Sequence, residues 1–402
     1  MDELHDVAQQ VRRGVGVVAV LAAAAEDDVD DEAPPGEVQR LEALHAAVGR
    51  LHPVAALRLV VTAEVNPDGP AGPEPERRRT LIEVEPHRLE IIALVVRVHI
   101  TADATRFCLQ RGIGVAWFAW DGGYLGRLAP EMPRSADLRL RQYETAYDPA
   151  RRLRRARAVV AAKLANAREV LRDIQSNEAD APSLADAIAR LKEMVDQVES
   201  GGSAGVPPAS REDAAQDESG RLLGLEGAGA HTYFQALGNA FRADIPFTGR
   251  QRRPPPDPAN ALLSFGYVLL GNLLAGLIEA RGLDPALGFF HEVRPGRPSL
   301  ALDLLEELRH PLVDRFVLRA CNLRILRPEH FEADAERPGG VRLTRDGLRL
   351  FFREWEKHLL RPLREQESDA KIEPTALLRR QVERLAVSLR GGEPYQPFRY
   401  GG

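Results

Sequence analysis

The stretch GFFHEVRPGRPSLALDLLEE over 288–307 gathers one imidazole and several carboxylates. Asp303 and Glu306 stand three apart, which puts them on one face of a helix. His291 precedes Asp303 by twelve residues, across Pro295, Gly296 and Pro298, so the chain between them must turn. An imidazole and carboxylates brought together suit a divalent cation. Glu226, in LLGLEGAGA, lies sixty-five residues before His291 and is a third candidate ligand. Each residue alone has an ordinary explanation. Glu226 reads equally as a surface Glu favoured by a helix dipole. His291, after an apolar run, reads as a satisfied histidine. Asp303 and Glu306 read as solvated carboxylates, with Ser299 a plausible N-cap below them. Glu307 is expected to be exposed, and His231 lies too far round the helix to join Glu226.

A second cluster could bind an anion. FTGRQRRPPPDPANALLSFGYVLL over 247–270 carries Arg250, Arg252 and Arg253 ahead of three prolines, then a helix from about Asp257 or Pro258. The stiff prolines fix the arginines relative to that helix, which suits phosphate recognition. Asn260, Ser264 and Tyr267 follow at helical spacing; they form either a ligand-facing stripe or a buried hydrogen-bonded one. The small residues after Glu226 predict a close approach of another backbone or a ligand.

The elements that must position these groups differ along the chain. Residues 1–54 read as an acidic helical extension, with EVQRLEALHAAVGRLH over 37–52 at helical spacing. Residues 55–135 carry short β-rich runs such as LRLVVTAEV and RLEIIALV, with a short helix over 102–112. Residues 136–148 read as a linker. From 149 to 392 the apolar spacing predicts an all-helical domain, interrupted by a flexible linker over 201–219 and followed by a tail over 393–402. The expected class is therefore α+β and multidomain, with a small N-terminal β-sheet domain and a larger helical catalytic domain.

Bulk properties bound the partners weakly. The net charge is −5, but residues 1–54 hold 11 acidic and 4 basic residues out of 59 and 54. That leaves 48 against 50 beyond residue 54. The cations are nearly all Arg, the bidentate phosphate reader, although a GC-rich genome produces the same bias. Only Lys163, Lys192, Lys357 and Lys371 are lysines. Cys108 and Cys321, without CxxC spacing, read as buried thiols in a reducing compartment. No apolar run is expected to span a membrane. RRGVGVVAVLAAAA over 12–25 has leader-like features, but an acidic start argues against export; a buried helix or strand, or a misassigned start codon, is expected there, and a cytoplasmic protein.

The motifs GLEGAGAHTYF, RRPPPDPANALLSFGYVLL, GLDPALGFFHEVRPGRPSLALDLLEELRHPLVDRFVL and YQPFRY, taken together, resemble CRISPR-associated protein 1, the spacer integrase and endonuclease. The resemblance covers 220–362 and 80–175 and does not extend to 1–54. It implies a divalent metal, Mg2+ or Mn2+, on Glu226, His291 and Glu306, with Asp303 in a supporting role. It implies DNA contacts near Arg250, Arg252, Arg253, Tyr267, Arg294 and Arg297. The implied reaction is attack of a 3′-hydroxyl of a short double-stranded fragment on a phosphodiester of CRISPR repeat DNA. The implied assembly is a homodimer bridged by a dimer of CRISPR-associated protein 2. A catalytically silent DNA-binding scaffold and an unrelated metallohydrolase remain alternatives. The Pro-rich insertion over 66–79 bears on the expected dimerisation surface of the β domain.

Overall fold

The computed structural model describes residues 17–22, 50–54, 58–64, 78–84, 89–95, 99–118, 124–128, 135–177, 182–201, 211–241, 245, 247, 249–251 and 254–402 apart from 336. The chain divides into two units, Met1–Glu131 and Met132–Gly402.

In the first unit the described residues form two four-stranded sheets. The first joins β2 (Arg50–Val54), β3 (Arg58–Glu64) and β4 (Arg78–Val84) in antiparallel order, with β6 (His99–Ile100) parallel to β2. The second runs β1 (Val17–Ala22), β5 (Leu89–Val95) and β7 (Gly114–Phe118) in parallel, with β8 (Tyr124–Leu128) antiparallel at its edge. Helix α1 (Ala102–Gln110) crosses between β5 and β7, and Thr101 caps it by accepting from Ala104 N at 3.2 Å. Ile92, Leu94, Cys108 and Val115 are buried. Burial pushes the Cys108 thiol up to about 11. Strand β2 departs from the helical extension expected over 1–54, while β1 falls in the run over 12–25 that read as a buried helix or strand. The run VVAVLA is apolar and β-branched, which suits a strand with a parallel neighbour. Of the helix expected over 37–52, only 50–52 are described, and they are strand.

The second unit is mostly helical. Residues 136–148, expected as a linker, instead form helix α2 (Ala136–Tyr147), which buries Leu138, Gln142 and Thr145 on one face. Gln142 accepts from Asp284 N at 2.9 Å and donates to the carbonyls of Asp284 and Leu287, so the helix is tied to the chain just before His291. Helix α3 (Pro149–Asn177) has residues 159–167 all buried. A helix surrounded in this way is a central post rather than an amphipathic one. Helices α4 (Pro182–Glu199) and α5 (Arg211–Gly238) pack on it. Residues 211–219 are thus helical, not linker, while 202–210 lie outside the described residues.

Helix α6 (Pro258–Ala280) begins as expected, with Asp257 accepting from Asn260 N at 2.8 Å and Pro at the first turn. It is long and apolar enough to cross a membrane, contrary to the expectation, but most of it is buried within the unit. Helix α7 (Ser299–Arg309) runs into a π-helical turn (His310–Asp314) and then α8 (Arg315–Asn322). Ser299 is the first helical residue rather than the cap, and its hydroxyl donates to Glu292 O at 2.9 Å. Two short ribbons interrupt the helices that were expected to run unbroken. These are β9 (Phe331–Ala333) with β10 (Val341–Leu343), and β11 (Leu363–Arg364) with β12 (Lys371–Ile372). Helices α9 (Arg345–Leu359) and α10 (Pro374–Leu389) complete the unit.

The segment expected as a tail is part of the core: Tyr395, Phe398 and Tyr400 are buried. Glu307 holds it, which corrects the expectation of an exposed carboxylate. Its carboxylate accepts from Phe398 N at 2.6 Å and from the Tyr395 hydroxyl and Gln381 Nε2. Burial pushes the carboxyl up to about 7 against the pull of these donors. Asn166 of α3 completes the clasp, donating to the carbonyls of Glu307 and Phe398 and accepting from Tyr400 N.

His358 on α9 donates from Nε2 to Leu312 O at 2.8 Å, satisfying a carbonyl of the π-helical turn. Burial, aided by Arg315, pushes its pKa down to about 3. The unfolded chain, with a His pKa near ~6.5, therefore takes up this proton first as pH falls. Stability from this group is intact above about 6.5 and is lost towards pH 3, at ~1.4 kcal/mol per pH unit. His358→Gln keeps a donor for the carbonyl and should flatten the loss of melting temperature between pH 7 and 5. An unchanged slope would refute the assignment.

Candidate active site

Two close approaches build the site. The first is at Gly288, where an added Cβ would sit 2.7 Å from Asp303 Oδ2 and 2.8 Å from the carbonyl carbon of Ser299. Only glycine lets this loop close onto the first turn of α7. The closure delivers three consecutive backbone N–H groups, of Phe289, Phe290 and His291, to the Asp303 carboxylate, the latter two at 3.0 and 2.9 Å. Asp303 also receives His291 Nδ1 at 2.8 Å. A carboxylate only accepts, so the Nδ1 proton lies on the imidazole, and in the neutral ring Nε2 carries the lone pair. That Nε2 stands 3.8 Å from Glu306 Oε1. Asp303 thus orients His291 and the loop that carries it.

The second approach is at Gly229 on α5, where a Cβ would meet Leu164 Cδ2 at 2.1 Å and Met194 Sδ at 3.5 Å. The small residues after Glu226 let α5 pack on α3 and α4. Gly227 has open space where its Cβ would be, so this packing reason applies to Gly229 and not to every small residue there. The approach brings Glu226 to the buried Lys163 of α3, whose ammonium pairs with Glu226 Oε1 and also with Glu306 Oε2. Glu306 further pairs with Arg309 at 3.3 Å. Burial by itself would raise the Glu306 carboxyl, but Lys163, Arg309 and His291 outweigh it and hold it well below the usual carboxylate range.

The expected ligands Glu226, His291 and Glu306 therefore surround one region, although they are far apart in sequence. Among the described residues no three His, Cys, Asp or Glu side chains stand at metal-binding geometry. A lysine ammonium lies between two of the carboxylates. The donor set fits magnesium or manganese, since two carboxylates and an imidazole whose Nδ1 is already held by Asp303 are ligands those ions take. An ammonium held by two carboxylates also marks a place where this fold already accommodates positive charge.

Sequence reasoning missed Lys163, Arg309 and Asn166. Lys163 carried a legible signal: a lysine inside the apolar run AVVAAKLANA, in a chain whose cations are almost all arginine. Nothing in the spacing near Arg309 distinguished it from a surface arginine. The structure stacks it over the Tyr267 ring at 4.0 Å. Tyr267, expected to contact DNA, is buried, and its hydroxyl bonds Asp314, which also receives His310 Nδ1 at 2.6 Å. Its place is in a buried network behind Glu306.

Arg250 is fixed by the stripe beneath it, donating to Asn260 Oδ1 at 2.9 Å and Ser264 Oγ at 3.0 Å. Arg252 and Arg253 lie outside the described residues. Arg294 is exposed and pairs with Glu292 at 2.9 Å, and Arg297 is half-buried on the same loop. Two arginines near the start of α3 are engaged by protein groups. Arg152 donates to Phe289 O at 3.0 Å, and Arg155 donates to Ser388 and lies over the Phe289 ring.

This arrangement offers carboxylates and an imidazole nitrogen for a cation, and arginines on the neighbouring loops. Comparison with known proteins gives it a family. The family described as CRISPR associated protein Cas1 matches residues 74–357. CRISPR-associated endonuclease Cas1 3 of Thermus thermophilus is 34% identical over 329 residues, 82% of this chain and 90% of that one. The fold is similar to a casposase bound to integration product, with TM-score 0.66, 21% identity and coverage of 86% of this chain and 89% of that one. It is also similar to a chain of a Cas6-RT-Cas1–Cas2 complex, with TM-score 0.66, 20% identity and coverage of 95% and 36%. A match running through the whole segment that carries Glu226, His291 and Glu306, with a relative aligned over nine-tenths of its own length, makes this chain a member of the CRISPR-associated Cas1 family.

Proposed function

We propose that this protein is a divalent-metal-dependent DNA endonuclease and integrase of CRISPR spacer acquisition, using magnesium or manganese on Glu226, His291 and Glu306. Membership of a family whose curated relative is named an endonuclease supports the nuclease reading. The observation that carries the site assignment is the meeting of Glu226 and Glu306 on one ammonium, with His291 Nε2 3.8 Å from Glu306.

In the reaction, a 3′-hydroxyl oxygen of a short DNA fragment bonds to the phosphorus of a repeat-boundary phosphodiester, and the bond from that phosphorus to the departing 3′-oxygen breaks. A bound cation would supply charge stabilisation for the pentavalent transition state. His291, held by Asp303 at Nδ1, would present Nε2 to that cation, and Asp303 fixes the tautomer in which Nε2 can act as a ligand. The proton of the attacking hydroxyl passes to water and the departing oxygen takes one from water, so the exchange of one phosphodiester for another is proton-neutral. Arg309 holds Glu306 ionised and in place. No protein nucleophile is required.

The partners follow from the family reading. They are double-stranded DNA with 3′ ends, CRISPR repeat DNA, a second copy of this chain through the strand-bearing first unit, and a dimer of the Cas2 protein. A solved relative assembled with Cas2 supports the last of these. Arg250, Arg252, Arg253, Arg294 and Arg297 are the proposed phosphate contacts, acting in the cytoplasm.

Purified protein incubated with a branched DNA substrate should join or cleave strands with Mn2+ and should do neither with EDTA. Absence of both reactions in either condition, with DNA still bound, would favour the silent scaffold instead.

A further inference from the structure

We propose that Lys163 is a resident counter-cation of the active site, which occupies the carboxylates when no metal is bound and competes with the metal for them. This inference rests on the assignment of Glu226 and Glu306 as metal ligands.

Three observations carry it. First, the ammonium reaches one oxygen from each carboxylate, Glu226 Oε1 and Glu306 Oε2, so a single positive charge bridges residues from α5 and α7. Second, the Lys163 side chain is only 2% exposed, and Glu306 is 7% exposed. Glu226 is 19% exposed, so it is the buried Glu306 and Lys163 for which a charge left without a partner is costly. Third, the lysine is placed rather than incidental. One turn along the same face of α3, Asn166 is bound to the Glu307 carbonyl and the C-terminal segment, which sets α3 against α7 at the level of Glu306. Arg309 approaches Glu306 from its own helix and makes no pair with Glu226, so it does not substitute for the bridge.

The physical consequence is a trade between metal-free stability and metal affinity. With Lys163 present, one unit of the charge on the carboxylate pair is already offset, beyond what Arg309 offsets on Glu306. A divalent ion must then share or displace the ammonium, and its net attraction to the site falls. Without Lys163, the same carboxylates attract the ion more strongly but repel one another when it is absent. Lys163 is therefore a positioning residue that sets the metal concentration at which the site loads.

The test is Mn2+ binding to the full chain without DNA, followed by electron paramagnetic resonance of free Mn2+, for wild type, Lys163→Met and Lys163→Gln. Either neutral variant should bind Mn2+ at least about tenfold more tightly than wild type, as expected when a unit charge a few ångströms away is removed. It should also melt at lower temperature in EDTA and recover more on adding Mn2+ than wild type does. Lys163→Arg, which keeps the charge, should stay near the wild-type affinity. Tighter binding by one neutral variant is sufficient should the other fail to fold. Mn2+ binding by wild type with equal or weaker binding by the neutral variants would overturn the proposal while leaving the metal site standing. Absence of Mn2+ binding in wild type and all variants would overturn the metal assignment, and this inference with it.

Discussion

His291→Ala should abolish strand joining and cleavage while leaving most DNA affinity in place. The imidazole contributes what alanine cannot, an Nε2 3.8 Å from Glu306 that can hold the cation. Losing a ligand that places the cation against the reacting phosphate removes charge stabilisation, and a loss of at least about 10²-fold is expected. DNA binding rests on many phosphate contacts and should change less than about threefold. The backbone of residue 291 still donates to Asp303, so the loop stays closed and the melting temperature should move little. The measurement pairs a joining assay with filter binding on the same DNA. Equal loss of both would mean that His291 is structural, and the site assignment would then be wrong.

Asp303→Ala should be the most destabilising single change at the site. Its carboxylate accepts from three backbone N–H groups and one imidazole N–H. It is 1% exposed, so water does not readily replace it. Each buried donor left unpaired costs ~1–3 kcal/mol, so a total of several kcal/mol is expected. The loop that carries His291 would then lose its anchor on α7, and activity should fall together with stability. Asp303→Asn discriminates the two effects. Its amide oxygen still accepts, so much of the stability should return. Its NH2 group cannot serve all the donors, so His291 orientation and activity should remain impaired. Chemical denaturation and the joining assay on both variants check this; full activity in Asp303→Ala would show that His291 needs no such support.

Local chemistry in the chain determined a good deal. The start of α6 was legible from Asp257 and Pro258, because an N-cap and a first-turn proline act within one helical turn. The three ligand candidates were legible as residue types, and the pairing of Asp303 with Glu306 on one helix face follows from spacing alone. The family resemblance over the helical segment was legible because several motifs recur in order, which no single motif could establish. What remained hidden depended on contacts between distant segments. Lys163 and Glu306 are separated by most of the second unit, and no helical period relates them. Glu307 looked like a solvated neighbour of Glu306, yet one residue further round the helix faces a different partner, here the C-terminal segment and Gln381. Tyr267 sat in a polar stripe whose direction spacing could not assign, and packing against Arg309 and Asp314 turned it inward. Residues 136–148 have too few apolar positions to announce a helix, and burial of Leu138 with Gln142 bonded to the loop before His291 is what orders them. Sequence thus sets the identity and local geometry of groups, because caps, turns and periodicity act over a few residues. Tertiary structure decides which charges share one buried volume, because that depends on which helices pack together.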